Sequence, residues 1–392
     1  MAAPVSKYAR AVGGSTVVGM RRKADEVEAR GINVIDFGIG EPDFEAPPPV
    51  REACVRAIQD GHGKYVDPRG LPALREVIAQ FENAQHGHPA STDQVVVTAG
   101  SYGALSVVTR ALLDHDAEVL VLEPGWGPYK ALVELTGARA VGVPMGTQDN
   151  RFVVDAERLC DAVTSHTRAI VFNSPWNPTG RVLSETELGA IAEVAERHDL
   201  WVIADEVYSE LVYGDAVHLS IASLAPEVAA RTVVATSFSK SFAMTGWRLG
   251  YCVAPIHLAP LLARVNQYTL RCPTSFVQHA GVIAIEEGEA HVAAMRAEYA
   301  QRRDIIAAGL NDIEGVTCPL PEGTFYAFPA IDREWGDSRD IANQLLEQHG
   351  VLLTPGSAYG PASRHHLRLS FATSVEAIEE GIERFRAAAA NF

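Results

Sequence analysis

The chain has 392 residues, of which 47% are hydrophobic and 21% are charged, a composition typical of a soluble globular protein with a large core. Its 33 basic and 49 acidic residues give a formal net charge of −16, which disfavours nucleic acid or an anionic membrane as a partner of the whole protein. The 5 cysteines have no CxxC spacing and the 13 histidines have no HExxH motif, so we expect reduced thiols and no metal site.

The first thirty residues carry several basic side chains but no apolar segment of the signal-peptide type. No run in the chain approaches the roughly 18 apolar residues that span a bilayer. We therefore expect a protein without a membrane partner that stays in the cytoplasm.

From about residue 94, short runs rich in β-branched residues alternate with longer helical patterns. Strands are predicted over residues 94–98, 119–122, 168–173, 200–205 and 232–237, and helices over residues 101–113, 128–136 and 184–198. Ser184 and Glu187 have the spacing of a capping box. The histidines of the preceding polar run 86–88 are expected to be exposed. Because continuous apolar strands are typical of a parallel sheet covered by helices on both faces, this region predicts a three-layer α/β architecture.

The pattern changes after about residue 290. A long charged helix is predicted over residues 290–308, with Gly309 as its stop, then short strands around residues 316–329 and 366–372, and a final helix over residues 375–389. This part is interpreted as a smaller α+β domain. The predicted organisation is a segment that joins the small domain, a large domain and the small C-terminal domain, over residues 1–46, 47–289 and 290–392 respectively.

A lysine follows the predicted strand over residues 232–237, in the run Ser-Phe-Ser-Lys that ends at Lys240. A single lysine after a strand is usually a surface residue. Here Ser237, Ser239 and Arg248 supply donors of the kind that a phosphate group needs. Lys240 stands among them, where its amine could form a Schiff base with an aldehyde.

Two further motifs follow strands. Residues 173–180 read Asn-Ser-Pro-Trp-Asn-Pro-Thr-Gly, which is the composition of a tight turn, and residues 204–208 read Ala-Asp-Glu-Val-Tyr. Each motif alone is weak, since a turn or a solvated acid explains it. In this order and at these separations, the three motifs resemble those of the fold-type-I, pyridoxal-phosphate-dependent aminotransferases of class I/II, the aspartate and aromatic aminotransferase type. The resemblance extends along essentially the whole chain.

This resemblance implies pyridoxal 5'-phosphate as the cofactor. It implies that Lys240 is the catalytic lysine, which holds the cofactor as a Schiff base and carries a proton. Asp205 is implied as the partner of the pyridine nitrogen, and Tyr208 and Asn177 as hydrogen-bonding partners of the ring oxygen. Trp126, in the run Glu-Pro-Gly-Trp, matches the aromatic residue that stacks on the cofactor ring.

The same resemblance implies a phosphate site. Its members are the main-chain amides of Ser101 and Tyr102 at a helix start, together with Ser237 and Arg248. Tyr65 is implied to reach the phosphate of a neighbouring subunit, so the active enzyme is expected to be a homodimer. On the substrate side, Gly40, Trp126 and Asn177 are implied contacts, and Arg368 is implied to grip the α-carboxylate with a fork that lysine cannot supply.

The substrate is less determined. Some aspartate-specific relatives carry a lysine at the position of Tyr102, or an arginine near the position of Gln267, and neither cation is present here, although Arg271 lies close by. Trp176 departs from the small or polar residue usual at its position, and it either lines the pocket or packs against the large domain. We expect ping-pong transfer of the amino group of a neutral, aromatic or otherwise bulky α-amino acid to a 2-oxo acid.

Alternatives of other classes stay open at this level. Relatives with the same fold and the same lysine, aspartate and arginines catalyse β-elimination from C–S compounds, decarboxylation or C–C bond formation. The runs Gly-Trp-Arg-Leu-Gly, residues 246–250, and Gly-Thr-Phe-Tyr, residues 323–326, favour an aminotransferase. A non-catalytic homologue would be expected to lack the lysine, which this chain retains.

Overall fold

The computed structural model describes residues 5–392. Its strands in chain order are Ile35–Asp36 (β1), Val95–Thr98 (β2), Glu118–Glu123 (β3), Arg139–Pro144 (β4), Gly146–Gln148 (β5), Arg151–Val153 (β6), Thr167–Asn173 (β7), Trp201–Asp205 (β8), Thr232–Ser237 (β9), Gly250–Val253 (β10), Val316–Thr317 (β11), Tyr326–Ala327 (β12), Ala330–Ile331 (β13), Val351–Leu352 (β14), Thr354–Pro355 (β15) and Leu367–Ser370 (β16).

The α-helices are of very different lengths, and in chain order they are Lys7–Ala11 (α1), Thr16–Glu28 (α2), Pro48–Gln59 (α3), Pro72–His86 (α4), Gly100–Leu112 (α5), Pro128–Glu134 (α6), Ala156–Asp161 (α7), Glu185–Arg197 (α8), Pro226–Ala229 (α9), Phe238–Ser241 (α10), Ala259–Thr269 (α11), Ser275–Glu287 (α12), Glu289–Asn311 (α13), Ser338–His349 (α14) and Val375–Ala389 (α15). Within the described residues, no helix is long and apolar enough to cross a membrane.

A seven-stranded sheet forms the centre of the fold, with the strand order β2-β10-β9-β8-β7-β3-β4. Five neighbouring strands, β9 to β4, run parallel, and β10 is antiparallel to both of its neighbours. Side chains alternate between the two faces, so that Leu120 packs towards α8 whereas Val119 packs towards α5 and α11. Both faces are therefore buried under helices, and the predicted three-layer, mostly parallel α/β architecture is confirmed.

The register of this sheet brings polar strand ends together. Asn173 and Asp205 are paired neighbours at the ends of β7 and β8, and Ser237 ends the adjacent strand β9. The turn from β2 to α5 reaches the same edge, because β2 runs in the same direction as β9 on the far side of β10. Ligands of open parallel sheets bind at this carboxyl edge.

The C-terminal part contains short strands and long helices, as predicted. β12, β16 and β15 form a three-stranded antiparallel sheet, and β11 pairs with β13. The N-terminal segment lies with this part, since β1 pairs with β14 in parallel and Phe37 packs in the same core as Phe371 and Phe385.

Two local predictions are wrong. The long helix α13 continues through Gly309 to Asn311. A Cβ at Gly309 would lie 2.5 Å from Cδ1 of Ile382, so the glycine permits close packing of α15 and does not stop the helix. His86 and His88 are buried, not exposed. His86 lies between two carboxylates, with Nδ1 3.1 Å from Glu82 and Nε2 2.9 Å from Glu210.

The capping box is confirmed with both of its hydrogen bonds. The Ser184 hydroxyl accepts from the Glu187 amide at 3.3 Å, and the Glu187 carboxylate accepts from the Ser184 amide at 3.0 Å. This fixes the start of α8 directly after the turn that follows β7, which is the turn carrying Asn177.

Candidate active site

Lys240 stands on the short helix α10, immediately after β9. Ser237 caps this helix, since its hydroxyl accepts from the Ser239 amide at 3.3 Å. The Lys240 Nζ donates to the main-chain carbonyl of Gly40. Burial lowers the pKa of Lys240 to about 8; the charge of Glu41 opposes this shift, and those of Arg368 and Arg248 reinforce it. An amine with a lowered pKa is more readily deprotonated near neutral pH, so it is suited to Schiff-base formation and proton transfer.

Asp205 lies at the end of β8 and is buried. Its Oδ2 accepts from the Tyr129 hydroxyl at 2.6 Å, and its Oδ1 accepts from the Val207 amide at 3.3 Å. Burial raises the pKa of Asp205 to about 6, whereas the two hydrogen bonds lower it. A cationic ring nitrogen beside this carboxylate would favour its ionised form.

Tyr129 was missed by sequence reasoning. It follows Trp126 by three positions and is itself buried in the core beneath the sheet edge. Its partner Asp205 is 76 positions further along the chain, so no local pattern joins the two residues. Its only local signal is that it stands three positions after Trp126, at the start of α6.

The turn between β2 and α5 forms an anion-binding cradle. α5 begins at Gly100, and its N-cap Ala99 makes no side-chain capping bond, which leaves amides of the first turn, including those of Ser101 and Tyr102, without intrahelical partners. The Arg248 Nη2 donates to the Ala99 carbonyl at 3.3 Å, and Nη1 donates to the Thr245 carbonyl at 2.9 Å. The guanidinium is thus held at the start of α5, and Ser237 ends β9 on the far side of β10.

Gly100 is required for this arrangement on two grounds. Its φ is +71°, a left-handed conformation that other residues rarely adopt. A Cβ at this position would also lie 2.6 Å from Nη2 of Arg248. The glycine thus allows the start of α5 to lie directly against the Arg248 guanidinium.

Arg368 is carried by β16 and is 3% exposed. Its Nη2 donates to the Gly38 carbonyl at 2.8 Å and to Thr354 Oγ1 at 3.3 Å, and its Nη1 is 3.4 Å from Asn177 Oδ1. The Nε atom is buried without a hydrogen-bond partner, and none of the ion pairs formed within residues 5–392 includes this arginine. A buried cation with an unused donor is a binding group for an anion such as a carboxylate.

Tyr208 and Asn177 lie close to Arg368: Asn177 contacts its guanidinium, and Tyr208 contacts the tyrosine on which it packs. The Tyr208 hydroxyl is 3.2 Å from that of Tyr326, over whose ring the Arg368 guanidinium lies at 4.2 Å from the centroid. Burial raises the pKa of Tyr208 well above its usual value, so the phenol is a neutral hydrogen-bonding group. Gly40 packs closely against Tyr326, since a Cβ at this position would lie 3.0 Å from the Tyr326 hydroxyl.

Two tryptophans have different environments. Trp126 is partly exposed and packs edge-to-face against Tyr102, with ring centroids 4.7 Å apart, and against Tyr129, at 5.2 Å. Trp176 is only 1% exposed, lies in the core and donates from Nε1 to the Pro124 carbonyl at 2.6 Å. Of the two interpretations of Trp176, packing against the large domain is therefore the one that the structure supports. The bond joins the turn of Asn177 to the loop of Trp126.

Tyr65 lies apart from the other predicted site residues. It is 78% exposed, and the Arg271 guanidinium lies over its ring, 5.4 Å from the ring centroid. The other predicted residues converge on the carboxyl edge of the sheet and on β16. Within the described part of this chain, Tyr65 makes no hydrogen bond to any of them.

The comparisons with known proteins agree with this geometry. Residues 32–385 match the family model "Aminotransferase class I and II". The aspartate aminotransferase of Geobacillus stearothermophilus is 38% identical, over 94% of this chain and 95% of that protein. The arginine–pyruvate transaminase of Pseudomonas aeruginosa is 38% identical, over 92% of this chain and 91% of that protein. The solved aromatic aminotransferase of Pyrococcus horikoshii is 36% identical, with a TM-score of 0.88 over 94% of this chain and 99% of that structure.

The fold and the site thus define a fold-type-I enzyme, and the chain belongs to the class I and II aminotransferases. It is an amino acid aminotransferase that uses pyridoxal phosphate and acts on amino acids and oxo acids. The residues present fit this cofactor, since the chain offers an amine of lowered pKa, an anion cradle at Gly100 and a buried carboxylate.

Proposed function

We propose that the amino donor is a neutral, aromatic or otherwise bulky α-amino acid. The observation that carries this proposal is Tyr102, which takes the position of a lysine found in some aspartate-specific relatives and packs against Trp126. Burial raises the pKa of Tyr102, so this side of the entrance presents a neutral phenol and not a cation. The exposed side chain of Ile39 adds apolar surface on the substrate loop. Relatives named for aspartate, aromatic and arginine donors have similar identities, so identity alone does not select the donor.

The proposed roles of the residues rest on the family resemblance and on their positions in the fold. When bound, pyridoxal phosphate supplies an electron sink for the electrons left at Cα after the proton departs. Lys240 would hold the cofactor, and its amine would then accept and carry the proton that leaves the substrate Cα. Asp205 keeps the pyridine nitrogen protonated, and Tyr208 and Asn177 donate hydrogen bonds to the ring oxygen. Ser101, Tyr102, Ser237 and Arg248 hold the phosphate, and Trp126 stacks on the ring.

Arg368 binds the α-carboxylate in this proposal. Its Nε has no partner and its Nη1 makes only a long contact with Asn177, so the guanidinium keeps donors for an anionic partner. The contacts of Arg368 with Gly38 and Asn177 support a carboxylate position between the N-terminal loop and β16.

We propose a homodimer in which Tyr65 of one subunit completes the phosphate site of the other. Tyr65 and Tyr268 are 78% and 84% exposed, and exposed aromatic side chains of this size are typical of interaction surfaces. Mixing inactive Lys240→Ala chains with weakened Tyr65→Ala chains provides a test. If Tyr65 acts across the interface, mixed dimers contain one intact site and activity returns; activity that stays at the level of the separate variants would contradict this role.

We also propose the domain division 1–46, 47–289 and 290–392, with the pyridoxal phosphate site in the large domain. The support is that the cores around the seven-stranded sheet and around β16 are separate clusters, and that Met20 and Phe37 belong to the second one. A cytoplasmic location is proposed as well, on the support that all five cysteines are free.

The donor is identified by half-reactions with single amino acids and no oxo acid. Loss of the visible band of the enzyme with aromatic or bulky donors, and its return when an oxo acid is added, is the expected result. Faster reaction with aspartate than with any neutral amino acid would contradict the proposed donor class. Accumulation of ammonia and pyruvate while the band persists would indicate β-elimination instead.

A further inference from the structure

The hydroxyl of Tyr129 is the only side-chain donor to the carboxylate of Asp205 within residues 5–392, since Asn173 donates to its main-chain carbonyl. Tyr129 belongs to α6 and reaches across to the end of β8, where it is itself buried. Its oxygen is 2.6 Å from Asp205 Oδ2, a short distance that is typical of a hydrogen bond to a carboxylate.

We propose that Tyr129 is a positioning residue, whose hydroxyl orients the Asp205 carboxylate and keeps it an acceptor for the pyridine N–H. The inference rests on the proposed placement of Asp205 at the pyridine nitrogen. It adds to that proposal a residue which acts through another side chain and does not touch the cofactor nitrogen.

The bond leaves Asp205 one oxygen with free acceptor capacity. Oδ2 is engaged by Tyr129, whereas Oδ1 accepts only a long bond of 3.3 Å from the Val207 amide. A carboxylate offers about four acceptor positions, so Oδ1 can take a further donor. Fixing Oδ2 therefore fixes the direction in which Oδ1 presents its lone pairs.

Other groups around Asp205 oppose its ionisation. Burial and the adjacent, buried Glu206 both raise the pKa of Asp205, and only the hydrogen bonds and the more distant Lys240 lower it. Glu206 is turned away and paired with others, since its carboxylate accepts from Ser220 at 2.9 Å and lies 3.1 Å from His218 Nε2. Tyr129 is thus the main side chain of the protein that favours an anionic Asp205.

The ring of Tyr129 has a separate contact. It packs edge-to-face against Trp126, which lies in the loop just before α6, with centroids 5.2 Å apart. Replacement by phenylalanine keeps this contact and removes only the hydroxyl. The variant Tyr129→Phe therefore isolates the hydrogen bond from the packing.

The test compares Tyr129→Phe with the unmodified holoenzyme and with Tyr213→Phe. Tyr213 is also buried and donates to a main-chain carbonyl, that of Thr324, so it is a matched control outside the site. The dissociation constant of pyridoxal phosphate is measured by titrating cofactor-free enzyme, and kcat and KM are measured separately. We expect Tyr129→Phe to raise the dissociation constant roughly 10-fold and to lower kcat with little change in KM. Tyr213→Phe is expected to change neither.

A cofactor analogue in which carbon replaces the pyridine nitrogen distinguishes an effect of Tyr129 on the bond between Asp205 and the pyridine N–H from a general disturbance of the site. This analogue has no N–H for Asp205, so Tyr129→Phe and the unmodified enzyme should bind it equally. An equal loss of affinity for both cofactors would overturn the proposal. A second variant carries 3-fluorotyrosine at position 129, which has nearly the same shape as tyrosine but is a stronger hydrogen-bond donor. It should bind the natural cofactor more tightly and the carbon analogue equally well. Unchanged binding of the natural cofactor would contradict the proposal.

The variant Asp205→Asn distinguishes the role of Tyr129 from the placement of Asp205 at the pyridine nitrogen, on which that role depends. If Asp205→Asn binds the two cofactors as the unmodified enzyme does, the placement of Asp205 at the nitrogen is wrong. If Asp205→Asn loses the preference for the natural cofactor but Tyr129→Phe keeps it in full, only the role of Tyr129 is refuted.

Discussion

Replacement of Arg368 by lysine provides a quantitative test of the substrate clamp. The guanidinium already uses Nη2 for Gly38 and Thr354, and it retains the unpartnered Nε and the weakly engaged Nη1 for a substrate carboxylate. A lysine ammonium has no planar fork and must satisfy the Gly38 carbonyl with the same three protons. We therefore expect the loss of one charge-assisted hydrogen bond to the substrate.

The size of the effect follows from that single bond. A hydrogen bond to a charged group contributes about 1.5–3 kcal/mol, and each 1.4 kcal/mol is a factor of ten in the dissociation constant. The apparent dissociation constant of the amino acid should thus rise by roughly one to two factors of ten. The contact of the guanidinium with the Tyr326 ring, 4.2 Å from the centroid, is weakened as well, so the lower end is a minimum.

The assay is a half-reaction in which the cofactor band is followed at increasing amino acid concentration. Arg303→Lys is the matched control, because Arg303 also lies over a tyrosine ring, that of Tyr213 at 5.3 Å, but makes no contact with Gly38 or Asn177. Its amino acid affinity should be unchanged. An unchanged affinity in Arg368→Lys would refute the reasoning, since the carboxylate would then be held elsewhere.

Two further predictions concern the lysine and the buried histidine. Lys240→Ala should fold, as judged by its unfolding temperature, but lose turnover by several factors of ten, because no other amine lies in the site; full turnover would contradict the role of Lys240. For His86, burial lowers the pKa, but hydrogen bonds to Glu210 and Glu82 outweigh it and raise the pKa to about 10, above the unfolded value near 6.5. His86 therefore stabilises the fold fully below about pH 6.5, and this contribution declines between about pH 6.5 and 10. The free energy of unfolding, measured with urea across that range, should fall as the pH rises, and His86→Phe should make this fall less steep. An equal dependence of the unfolding free energy on pH in both proteins would refute the prediction.

The sequence predicted those features that depend on local patterns. The strands β7, β8 and β9 are continuous apolar runs, and the polar residues that end them, Asn173, Asp205 and Ser237, meet because parallel strands share one edge. The lysine after β9 was recognisable from its hydroxyl-rich surroundings and from the order of the three motifs.

Features that depend on distant partners were not predictable in this way. Tyr129 meets Asp205 across 76 positions, and His86 is buried because Glu210, 124 positions away, pairs with it. The burial of Trp176 depends on the Pro124 carbonyl, and the continuation of α13 through Gly309 depends on the packing of Ile382. Local propensity favours a stop at glycine, but tertiary packing overrides it.

Reduction of the holoenzyme with borohydride shows which lysine holds the cofactor. The chain has five lysines, and Lys7, Lys23, Lys64 and Lys130 stand outside the cluster around Gly40 and Arg248. Reduction fixes the cofactor to its amine, and the peptides are then analysed by mass spectrometry. We expect the phosphopyridoxyl mass on the peptide that contains Lys240 and on no other. The modification of another lysine in its place, or the absence of any modified peptide from the yellow enzyme, would mean that Lys240 does not hold the cofactor.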